Sequence, residues 1–429
     1  MKITLTQFRP NTAEAVWTDC FAQAIAELHK AGGGVLTVPT GEYSTGPIEL
    51  CSNMELHLEP GAVIRFLNAP AAFPLQECQY EGRISHRPKP CLSAFNAENV
   101  ALTGSGVLDG CGAPWWAAQR ARTLANGRPY LLHFENVTHL RVCGVQLRNS
   151  PAWTVHPLNC VDVLIEDVSI CNPYNSPNTD GINPESCRDV RILNCRVDVG
   201  DDCITLKSGT EETPSPVPCE NIVIANCLLV HGHGGIVIGS EMSGGVRNVT
   251  VTNCVFTGTD RGLRVKTRRR RGGCVENLRL SNLVMERVFC PFVFNMYYSC
   301  GTAEKDRWVW EKTPYPVDGG TPAFRNIRIN GVTVVGATAS AGFFYGLAES
   351  PIDGLSLTDC HIEMARGAAP EKPAMMGNLE PMSARGFFLR NAKNVEFHNV
   401  TLKNADGEAY DTDESRRRVL TGEKNETVR

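Results

Sequence analysis

A repeated segment of about a dozen residues constrains the fold of this chain more than any other feature. The five clearest copies alternate apolar and polar residues, and their starts lie 27 to 32 residues apart, a fixed period typical of solenoids. They are NCVDVLIEDVSI from residue 159, SCRDVRILNCRV from 186, PCENIVIANCLL from 218, GVRNVTVTNCVF from 245 and CVENLRLSNLVM from 274. Looser copies begin at residues 136, 323, 351 and 391, so most of the chain is predicted to share one architecture.

Aligning the copies gives each position a physical meaning. Two apolar columns lie two residues apart, which predicts a strand with one buried face. A following column of Asn, Asp and Gly tolerates left-handed backbone angles and predicts a bend. The first apolar column contains Leu140, Val163, Val190, Ile222, Val249, Leu278, Ile327, Leu355 and Val395. The bend column contains Gly144, Asp167, Asn194, Asn226, Asn253, Asn282, Gly331, Asp359 and Asn399.

Short strands and a fixed bend at this period predict an all-β fold, a single right-handed parallel β-helix of the pectin-lyase-like type. Its coils would stack about 4.8 Å apart. An eight-bladed propeller is the competing solenoid-like fold, but its blades need about 40 residues and antiparallel strands. The repeats are too short for that fold, so residues 1–429 are predicted to form one catalytic β-helix domain.

The two ends of a solenoid need a cover, because a terminal coil otherwise exposes its core and its strand edges. Residues 13–31 have apolar residues at helical spacing and are followed by three glycines, which predicts an N-terminal capping helix. The apolar positions are Val16, Phe21, Ile25 and Leu28. Residues 405–429 are strongly polar and are predicted to form a C-terminal tail, either disordered or loosely covering the last coil.

Charge and cysteine content indicate a cytoplasmic protein whose partner is neither nucleic acid nor a membrane. The chain has 42 Lys and Arg against 46 Asp and Glu, so no global field favours nucleic acid or a membrane. Neither a signal-peptide core nor a membrane-spanning apolar run is recognisable. Several of the 18 cysteines occupy a column that other repeats fill with Val or Leu. They are therefore predicted to be buried free thiols in a reducing compartment, the alternative being a disulfide framework.

Acidic residues interrupt the second strand of two successive repeats. The segments TDGIN, DDCITLK, HGGIVIG and DRGLRVK align on a column of buried aliphatic residues. In that alignment Asp180 and Asp202 share one column, and Asp201 and His233 share the column beside it. Stacked neighbours lie roughly 5 Å apart, so three carboxylates and an imidazole are predicted to converge, as general acid and base catalysis requires.

Other interpretations of these motifs remain open at this point. An Asp-Asp pair alone also occurs in turns and as a calcium ligand, and a histidine between glycines is often part of a loop. Strict alternation back from Ile204 would point Asp202 inward, so the strand must begin after a bend if both aspartates are to reach solvent.

Basic residues follow on the next coils. Arg264 and Lys266 alternate with buried residues and are expected to point outward, and Lys207 occupies the position that matches Lys266. A cationic row beside carboxylates suits a substrate that itself bears carboxylates, the alternative being a solvated strand face. The run Arg268 to Arg271 is expected to form an exposed loop that could recruit a polyanionic chain.

Four short motifs resemble the signature motifs of glycoside hydrolase family 28, the polygalacturonases, and most resemble the bacterial exo-polygalacturonases. They are NTD at 178–180, GDD at 200–202, GHG at 232–234 and RVK at 264–266. Their order and spacing match, and the similarity extends from GGGVLTVPTGEYSTGPIEL to about residue 400. Val265 is the one departure, since the family usually has isoleucine there.

The resemblance implies hydrolysis of an α-1,4-galacturonosidic bond with inversion. By this resemblance Asp201 is the general acid, Asp180 and Asp202 activate the attacking water, and His233 keeps the acid protonated. Arg264 and Lys266 would bind a galacturonate carboxylate, and Asn178 and Lys207 would also contact the substrate. No metal or other cofactor is required, because carboxylates activate the water.

Action at chain ends is expected, because imported oligogalacturonides are what an enzyme without an export signal would meet. The irregular insertions at 65–95 and 110–130 could close one end of the groove, and Tyr297 or Tyr298 could stack on a sugar or simply pack. Three alternatives remain: a rhamnogalacturonan- or rhamnose-specific hydrolase of the same family, a calcium-dependent pectate lyase, and a non-catalytic glycan-binding β-helix. The sequence does not specify the oligomeric state.

Overall fold

The computed structural model describes residues 1–10, 16–302 and 306–413. Its internal contacts define two compact units, Met1–Asp202 and Cys203–Arg429. Both units consist of coils of a right-handed parallel β-helix, because nearly all of their strands pair in parallel with a strand of the neighbouring coil. The predicted all-β solenoid is therefore confirmed, whereas a single domain over residues 1–429 stays a prediction.

The first unit, leaving aside residues 11–15, contains seventeen strands, two α-helices and two short 3-10 helices. The strands are β1 (Lys2–Thr4), β2 (Gly34–Val38), β3 (Gly41–Thr45), β4 (Ile48–Leu50), β5 (Met54–Leu58), β6 (Ala62–Phe66), β7 (Leu75–Tyr80), β8 (Arg83–Pro88), β9 (Leu92–Gly104), β10 (Val107–Asp109), β11 (Leu132–Cys143), β12 (Gln146–Arg148), β13 (Val155–Leu158), β14 (Val161–Glu166), β15 (Ser169–Cys171), β16 (Arg188–Leu193) and β17 (Arg196–Val199). The helices are α1 (Thr18–Lys30) and α2 (Ala113–Arg120), with 3-10 turns at Leu5–Gln7 and Pro70–Ala72.

The second unit, as far as it is described, contains fourteen strands and one short helix. The strands are β18 (Ile204–Leu206), β19 (Cys219–Ala225), β20 (Leu228–His231), β21 (Ile236–Ile238), β22 (Val246–Thr257), β23 (Arg261–Lys266), β24 (Cys274–Glu286), β25 (Cys290–Asn295), β26 (Ala323–Ala337), β27 (Ser340–Tyr345), β28 (Ile352–Met364), β29 (Arg385–Arg390), β30 (Ala392–Lys403) and β31 (Asp406–Thr412). The helix is α3 (Arg307–Trp310).

The predicted apolar columns are the core of both units. In the first unit Leu140 pairs with Val163, which pairs with Val190. In the second unit the register places Ile222, Val249, Leu278, Ile327, Leu355 and Val395 opposite one another along successive coils. All of these residues are buried. Parallel pairing in this register excludes the propeller.

The bend column adopts the left-handed backbone conformation that its residue types predict. Asn226, Asn253 and Asn282 have φ angles of 60°, 56° and 53°. Their side chains form a ladder, because Asn253 Nδ2 donates to Asn226 Oδ1 at 3.2 Å and Asn282 Nδ2 donates to Asn253 Oδ1 at 2.8 Å. Each asparagine therefore fixes its own bend and ties it to the next coil.

All 18 cysteines are free, and most of them are buried. Cys195, Cys227, Cys254 and Cys360 are at most 2 % exposed, in the column that other repeats fill with Val or Leu. The prediction of buried thiols is confirmed and the disulfide framework is excluded, whereas the compartment stays a prediction.

The capping helix α1 is shorter than predicted. It begins at Thr18 because Val16 is held in a β-bridge with Ser44, and residues 13–15 of the predicted 13–31 lie outside the described part. Phe21, Ile25 and Leu28 form its buried face. Gly33 ends this region at a φ of 122°, where a Cβ would lie 2.2 Å from the Asn53 carbonyl oxygen, so only glycine fits.

The predicted tail at 405–429 is partly a strand. Within it, β31 pairs in parallel with β29 and extends the second unit by a coil. Residues 414–429 lie outside the described part. Among the described residues, no helix has the length and apolar character needed to span a bilayer.

Candidate active site

The three aspartates of the NTD and GDD motifs lie together in the first unit. Asp180, Asp201 and Asp202 each present a carboxylate oxygen within 4.8 Å of the other two. Asp180 and Asp202 are 4 % and 2 % exposed, whereas Asp201 is half-buried. The predicted convergence of the carboxylates is confirmed, and Asp201 has the most exposed carboxylate of the three.

Stacking of successive coils places these aspartates. The Thr154 N–H donates to the Asp180 carbonyl at 2.8 Å, and the Gly181 N–H donates to the Asp202 carbonyl at 3.0 Å. The GDD segment lies between β17 and β18, so the next strand begins after a bend, as the motif requires. Even so, Asp202 is buried, and of the two adjacent aspartates Asp201 is the more exposed to solvent.

Gly200 allows the two motif-bearing segments to approach. A Cβ at this position would lie 2.5 Å from the Ser176 carbonyl oxygen and 2.7 Å from that of Pro173. The loop that passes over it is held by the Ser176 hydroxyl, which donates to the Pro173 carbonyl at 2.6 Å and contacts the Thr179 hydroxyl at 2.5 Å. The glycine of GDD is therefore a packing requirement that brings Asp180 beside the aspartate pair.

Hydrogen bonds orient the carboxylates and their neighbour Asn178. Asn183 Nδ2 donates to Asp180 Oδ2 at 3.1 Å, and the backbone N–H of Asp202 donates to Asp201 Oδ1 at 2.9 Å. Asn178 Oδ1 accepts from Arg128 Nη2 at 2.7 Å.

Arg128 is a buried residue of this site that the motif search missed. It is 3 % exposed, and its Nη1 donates to the carbonyls of Pro151 and Pro177 at 2.9 and 2.5 Å. Burial lowers the pKa of its guanidinium, while the Asp180 carboxylate favours its charged form. The polar insertion 110–130 was recognisable in the sequence, but nothing marked this arginine within it.

The carboxylate cluster also has the spacing of a cation site. Hard divalent cations such as Ca²⁺ prefer several oxygen ligands, and three carboxylates would supply part of that shell. An acidic cluster alone does not distinguish a metal site from a proton-transfer site. The absence of a metal requirement stays a prediction.

In the second unit, Arg264 and Lys266 lie on β23 and are only 3 % and 6 % exposed. They alternate with the buried Leu263 and Val265, as predicted, but they do not lie on a solvated strand face. The ring of Tyr298 is 5.9 Å from the Arg264 guanidinium carbon and 5.3 Å from Lys266 Nζ.

A segment between β28 and β29 covers this cationic strand. Arg264 Nη2 lies 3.1 Å from Met375 Sδ, and Asn295 Nδ2 donates to the Met375 carbonyl at 3.1 Å. Arg261 donates to the carbonyls of Lys372 and Pro373 at 2.8 and 3.0 Å. The sequence contained a sign of this covering segment. The repeats that begin at 351 and 391 are 40 residues apart, well above the usual period of 27 to 32 residues, which indicates an insertion.

Lys207 lies in a buried ion pair. Its Nζ is 3.0 Å from Glu241 Oε2. Burial opposes ionisation of Glu241, but Lys207, Arg271 and Lys266 outweigh it and lower the pKa of that carboxyl to about 2. The ammonium of Lys207 is therefore charge-compensated within the protein, and its contact with substrate stays a prediction.

The GHG histidine lies just beyond β20. His233 is exposed, whereas the glycines after it are buried. Its pairing with Asp201 stays a prediction.

The expectation of an exposed arginine loop is wrong. Arg268, Arg269 and Arg271 are at most 8 % exposed, and among these four arginines only Arg270 is exposed. Arg269 forms a bidentate pair with Glu349 at 2.5 and 2.9 Å, while Arg268 and Arg271 both pair with Glu211.

These pairings could not be predicted because the partners are distant in sequence. Arg269 lies 80 residues from Glu349 and also donates to the carbonyls of Trp308, Glu311 and Thr313. The run therefore anchors a long connection between β25 and β26 rather than recruiting a polyanion.

The two tyrosines after β25 have different environments. Tyr297 is fully buried, with Lys312 Nζ 3.4 Å from its ring centroid, so it packs inside the protein. Tyr298 is 8 % exposed and lies beside Arg264 and Lys266. Of the two tyrosines, Tyr298 is therefore the one that lies beside the two cations of β23.

The insertion at 65–95 forms an antiparallel hairpin of β7 and β8. Tyr80, near its tip, stacks on Trp153 with ring centroids 4.7 Å apart and planes at 26°. The Arg87 guanidinium carbon lies 3.9 Å from the Tyr80 ring centroid. Trp153 directly precedes Thr154, whose N–H binds the Asp180 carbonyl, so the hairpin covers the coil next to the carboxylate cluster.

Comparisons with known proteins agree with this fold and site. The model of the glycosyl hydrolases family 28 matches residues 35–367. A probable polygalacturonase of Vitis vinifera is 30% identical over 363 residues, which cover 82% of this chain and 72% of that protein.

Two solved structures have the same fold. A hyperthermoactive exopolygalacturonase from Thermotoga maritima is 30% identical with a TM-score of 0.76, covering 94% of this chain and 91% of that one. A family 28 exopolygalacturonase of Yersinia enterocolitica superposes with a TM-score of 0.77 at 19% identity, covering 100% of this chain and 78% of that one. The parallel β-helix, the three neighbouring carboxylates and these matches together define a glycoside hydrolase. The chain belongs to glycoside hydrolase family 28.

Proposed function

We propose that this protein hydrolyses α-1,4-galacturonosidic bonds of oligogalacturonides, acting at chain ends and inverting the anomeric configuration. The observation that carries the proposal is the approach of Asp180, Asp201 and Asp202 within 4.8 Å. The names of the relatives, polygalacturonase and exopolygalacturonase, support galacturonan as the substrate class.

Asp201 acts as the general acid. It is the most exposed of the three carboxyl groups and can reach a glycosidic oxygen, to which it gives a proton as the bond breaks. Asp180 and Asp202 orient a water molecule and take its proton as it attacks the anomeric carbon. Inverting pairs are usually about 6.5 to 9.5 Å apart, so inversion rests on family membership rather than on this shorter spacing.

Arg264, Lys266 and Tyr298 bind the substrate. A galacturonate carboxylate matches the fork of a guanidinium, and the sparse exposure of these groups strengthens the pairing by limiting competition from water. His233 holds the acid in its protonated form. These roles account for a preference for acidic over neutral sugars.

The hairpin of β7 and β8 supports action at chain ends. Its Tyr80 and Arg87 lie over the coil that directly precedes that of Asp180, where an internal cleavage site would need an open groove. A bulky, stacked side chain at this position leaves space for the end of a chain and obstructs its continuation.

Cleavage of polygalacturonate tests the end-acting mode. The enzyme is expected to release reducing ends while solution viscosity stays nearly constant, because each event shortens a chain by one terminal unit. Replacing residues 76–87 with a short glycine-serine link is expected to make viscosity fall early. A wild-type enzyme that halves viscosity at a few per cent of bonds cleaved would contradict the proposal.

The cytoplasm is the proposed compartment. Eighteen free cysteines, most of them buried, are compatible with a reducing environment and with substrate that arrives as imported oligosaccharides. Fractionation of the host cell is expected to place the activity with cytoplasmic markers, and its recovery in the culture medium would contradict this assignment.

A further inference from the structure

A chain of buried polar side chains lies beneath the hairpin in the first unit. His133, His156 and Glu185 have fully buried side chains. His133 Nδ1 lies 3.0 Å from His156 Nδ1, and His156 Nε2 lies 3.0 Å from Glu185 Oε2. His133 Nε2 lies 3.4 Å from Glu135 Oε2, so the chain runs from one carboxylate through two imidazoles to another.

The stacking of coils creates this chain. His133 on β11 and His156 on β13 are directly paired in the parallel register. Leu158, which lies on β13 with His156, forms a parallel β-bridge with Glu185 of the next coil. Outward-facing positions of neighbouring coils lie about 4.8 Å apart, which lets two imidazoles meet through their Nδ1 atoms. Neither histidine belongs to a family motif quoted above.

The geometry fixes the number of protons on the two imidazoles. Each Nε2 faces a carboxylate oxygen and must carry a proton to bind it. A hydrogen bond between two Nδ1 atoms holds one proton, no more and no less. The pair therefore has three protons on four nitrogens and a single positive charge. Loss of the shared proton sets two lone pairs against each other, and gain of another sets two N–H groups against each other.

The chain ends on the hairpin. Gln79 Nε2 on β7 donates to Glu185 Oε1 at 2.6 Å, and Tyr130 Oη donates to the Gln79 carbonyl at 2.5 Å. Tyr130 also stacks on His133 with ring centroids 5.0 Å apart. The next residue, Tyr80, is the one that stacks on Trp153 beside the Asp180 coil. The side chains of Glu185 and Gln79 therefore connect the imidazole pair to the hairpin.

The groups packed near the pair include a thiol, two phenols and several charged side chains. Burial raises the pKa of the Cys78 thiol to about 12 and raises the pKa of the Tyr80 and Tyr130 hydroxyls. The hydrogen bond from His133 lowers the pKa of Glu135. Glu185, Arg87, Arg128, Glu81 and Asp180 are charged neighbours of the two phenols. The hairpin itself also carries Glu77, Arg83 and His86.

We propose that His133, His156 and Glu185 are positioning residues that hold the hairpin of β7 and β8 over the terminal sugar, and do so only while the two imidazoles share one proton. The inference rests on the end-acting function proposed above. It assigns to this buried chain control of substrate affinity, with no part in bond cleavage.

Two substitutions at one position test this role. In the wild type, KM for a galacturonate trimer is expected to rise at alkaline pH, where the shared proton is lost. His133→Asn supplies an amide N–H that does not titrate, so it is expected to keep the low KM and to lose the alkaline rise. His133→Leu is expected to raise KM about tenfold at every pH, with kcat little changed, because it removes a hydrogen bond to a charged group.

His139→Asn is the matched control. His139 lies on the same strand, is more than half exposed and pairs with Asp162, away from the hairpin. This variant is expected to keep the alkaline rise in KM. An alkaline rise that persists in His133→Asn, or a loss in kcat rather than in KM in His133→Leu, would overturn the proposal.

A second readout is independent of activity. Arg83 in the hairpin is exposed, so trypsin cleavage after it reports how firmly the hairpin is held. His133→Leu is expected to be cut about tenfold faster than the wild type, and His133→Asn at the wild-type rate. Equal cleavage rates in all three proteins would overturn the positioning role even if the enzyme hydrolyses galacturonan. Conversely, an inactive wild-type enzyme with the expected cleavage pattern would contradict only the proposed function.

Discussion

Asp201→Asn is expected to lower kcat on a galacturonate trimer by about 10³-fold and to leave KM nearly unchanged. The asparagine occupies the same volume but has no proton to give to the glycosidic oxygen, and positioned general acids contribute roughly 10² to 10⁴ in rate. The backbone N–H of Asp202, which binds Asp201 Oδ1 at 2.9 Å, can bind the amide oxygen equally well, so the local fold is kept.

Asp198→Asn provides the control for this experiment. Asp198 lies three residues upstream on β17 and pairs at 3.0 Å with Arg196, whose side chain is 45 % exposed while that of Asp198 is 18 % exposed. Its substitution is expected to leave kcat within about twofold of the wild type, since exposed ion pairs contribute little. Reducing-sugar release measured at saturating trimer gives both values. If Asp201→Asn retained more than a tenth of wild-type kcat, another group would have to be the acid.

Arg264→Ala is expected to lower kcat/KM for the trimer by about 10² to 10³, the effect of removing one partner of a desolvated charge pair. Arg264→Lys keeps the charge but loses the planar fork, so it is expected to recover only part of this loss. The measurement compares the free-acid trimer with its methyl ester. Wild-type enzyme should strongly prefer the acid, and the alanine variant should have lost most of that preference.

Arg279→Ala serves as the control for loss of a cation from the same unit. Arg279 lies on β24 and binds the carbonyls of Leu278 and Asn326 at 2.9 Å. It should leave the preference for the acid intact. A preference that survives Arg264→Ala, with folding verified by circular dichroism, would mean that the substrate carboxylate is bound elsewhere.

Local sequence patterns were sufficient for the fold and for the carboxylate cluster. The period-two columns around Leu140 and Ile222 determine both strand and register, because a slip by one residue would expose every apolar side chain. Once that register is known, Asp180 and Asp202 must lie on neighbouring coils. The same reasoning explains why buried cysteines could be told from a disulfide framework.

Long-range contacts account for what the sequence did not reveal. Arg269 and Glu349, or Gln79 and Glu185, meet only because insertions fold back over the coils, and an insertion carries no repeat against which its register can be read. For the same reason the burial of Arg264 beneath Met375 was missed, although the alternation of the strand was correct. The predicted start of α1 was wrong for a local reason. The β-bridge between Val16 and Ser44 keeps the chain extended, so the helix begins only at Thr18.

The most direct test of hydrolysis is incubation of the purified enzyme with a galacturonate trimer and a chelator, with products separated while ultraviolet absorbance is followed. We expect early free galacturonate without any rise in absorbance, because hydrolysis by water and carboxylates needs no metal and forms no unsaturated product. A rise in absorbance would reveal an unsaturated product and therefore elimination, which would contradict hydrolysis. Absence of any product would direct the search to rhamnose-containing substrates or to glycan binding, and would equally contradict the proposed activity.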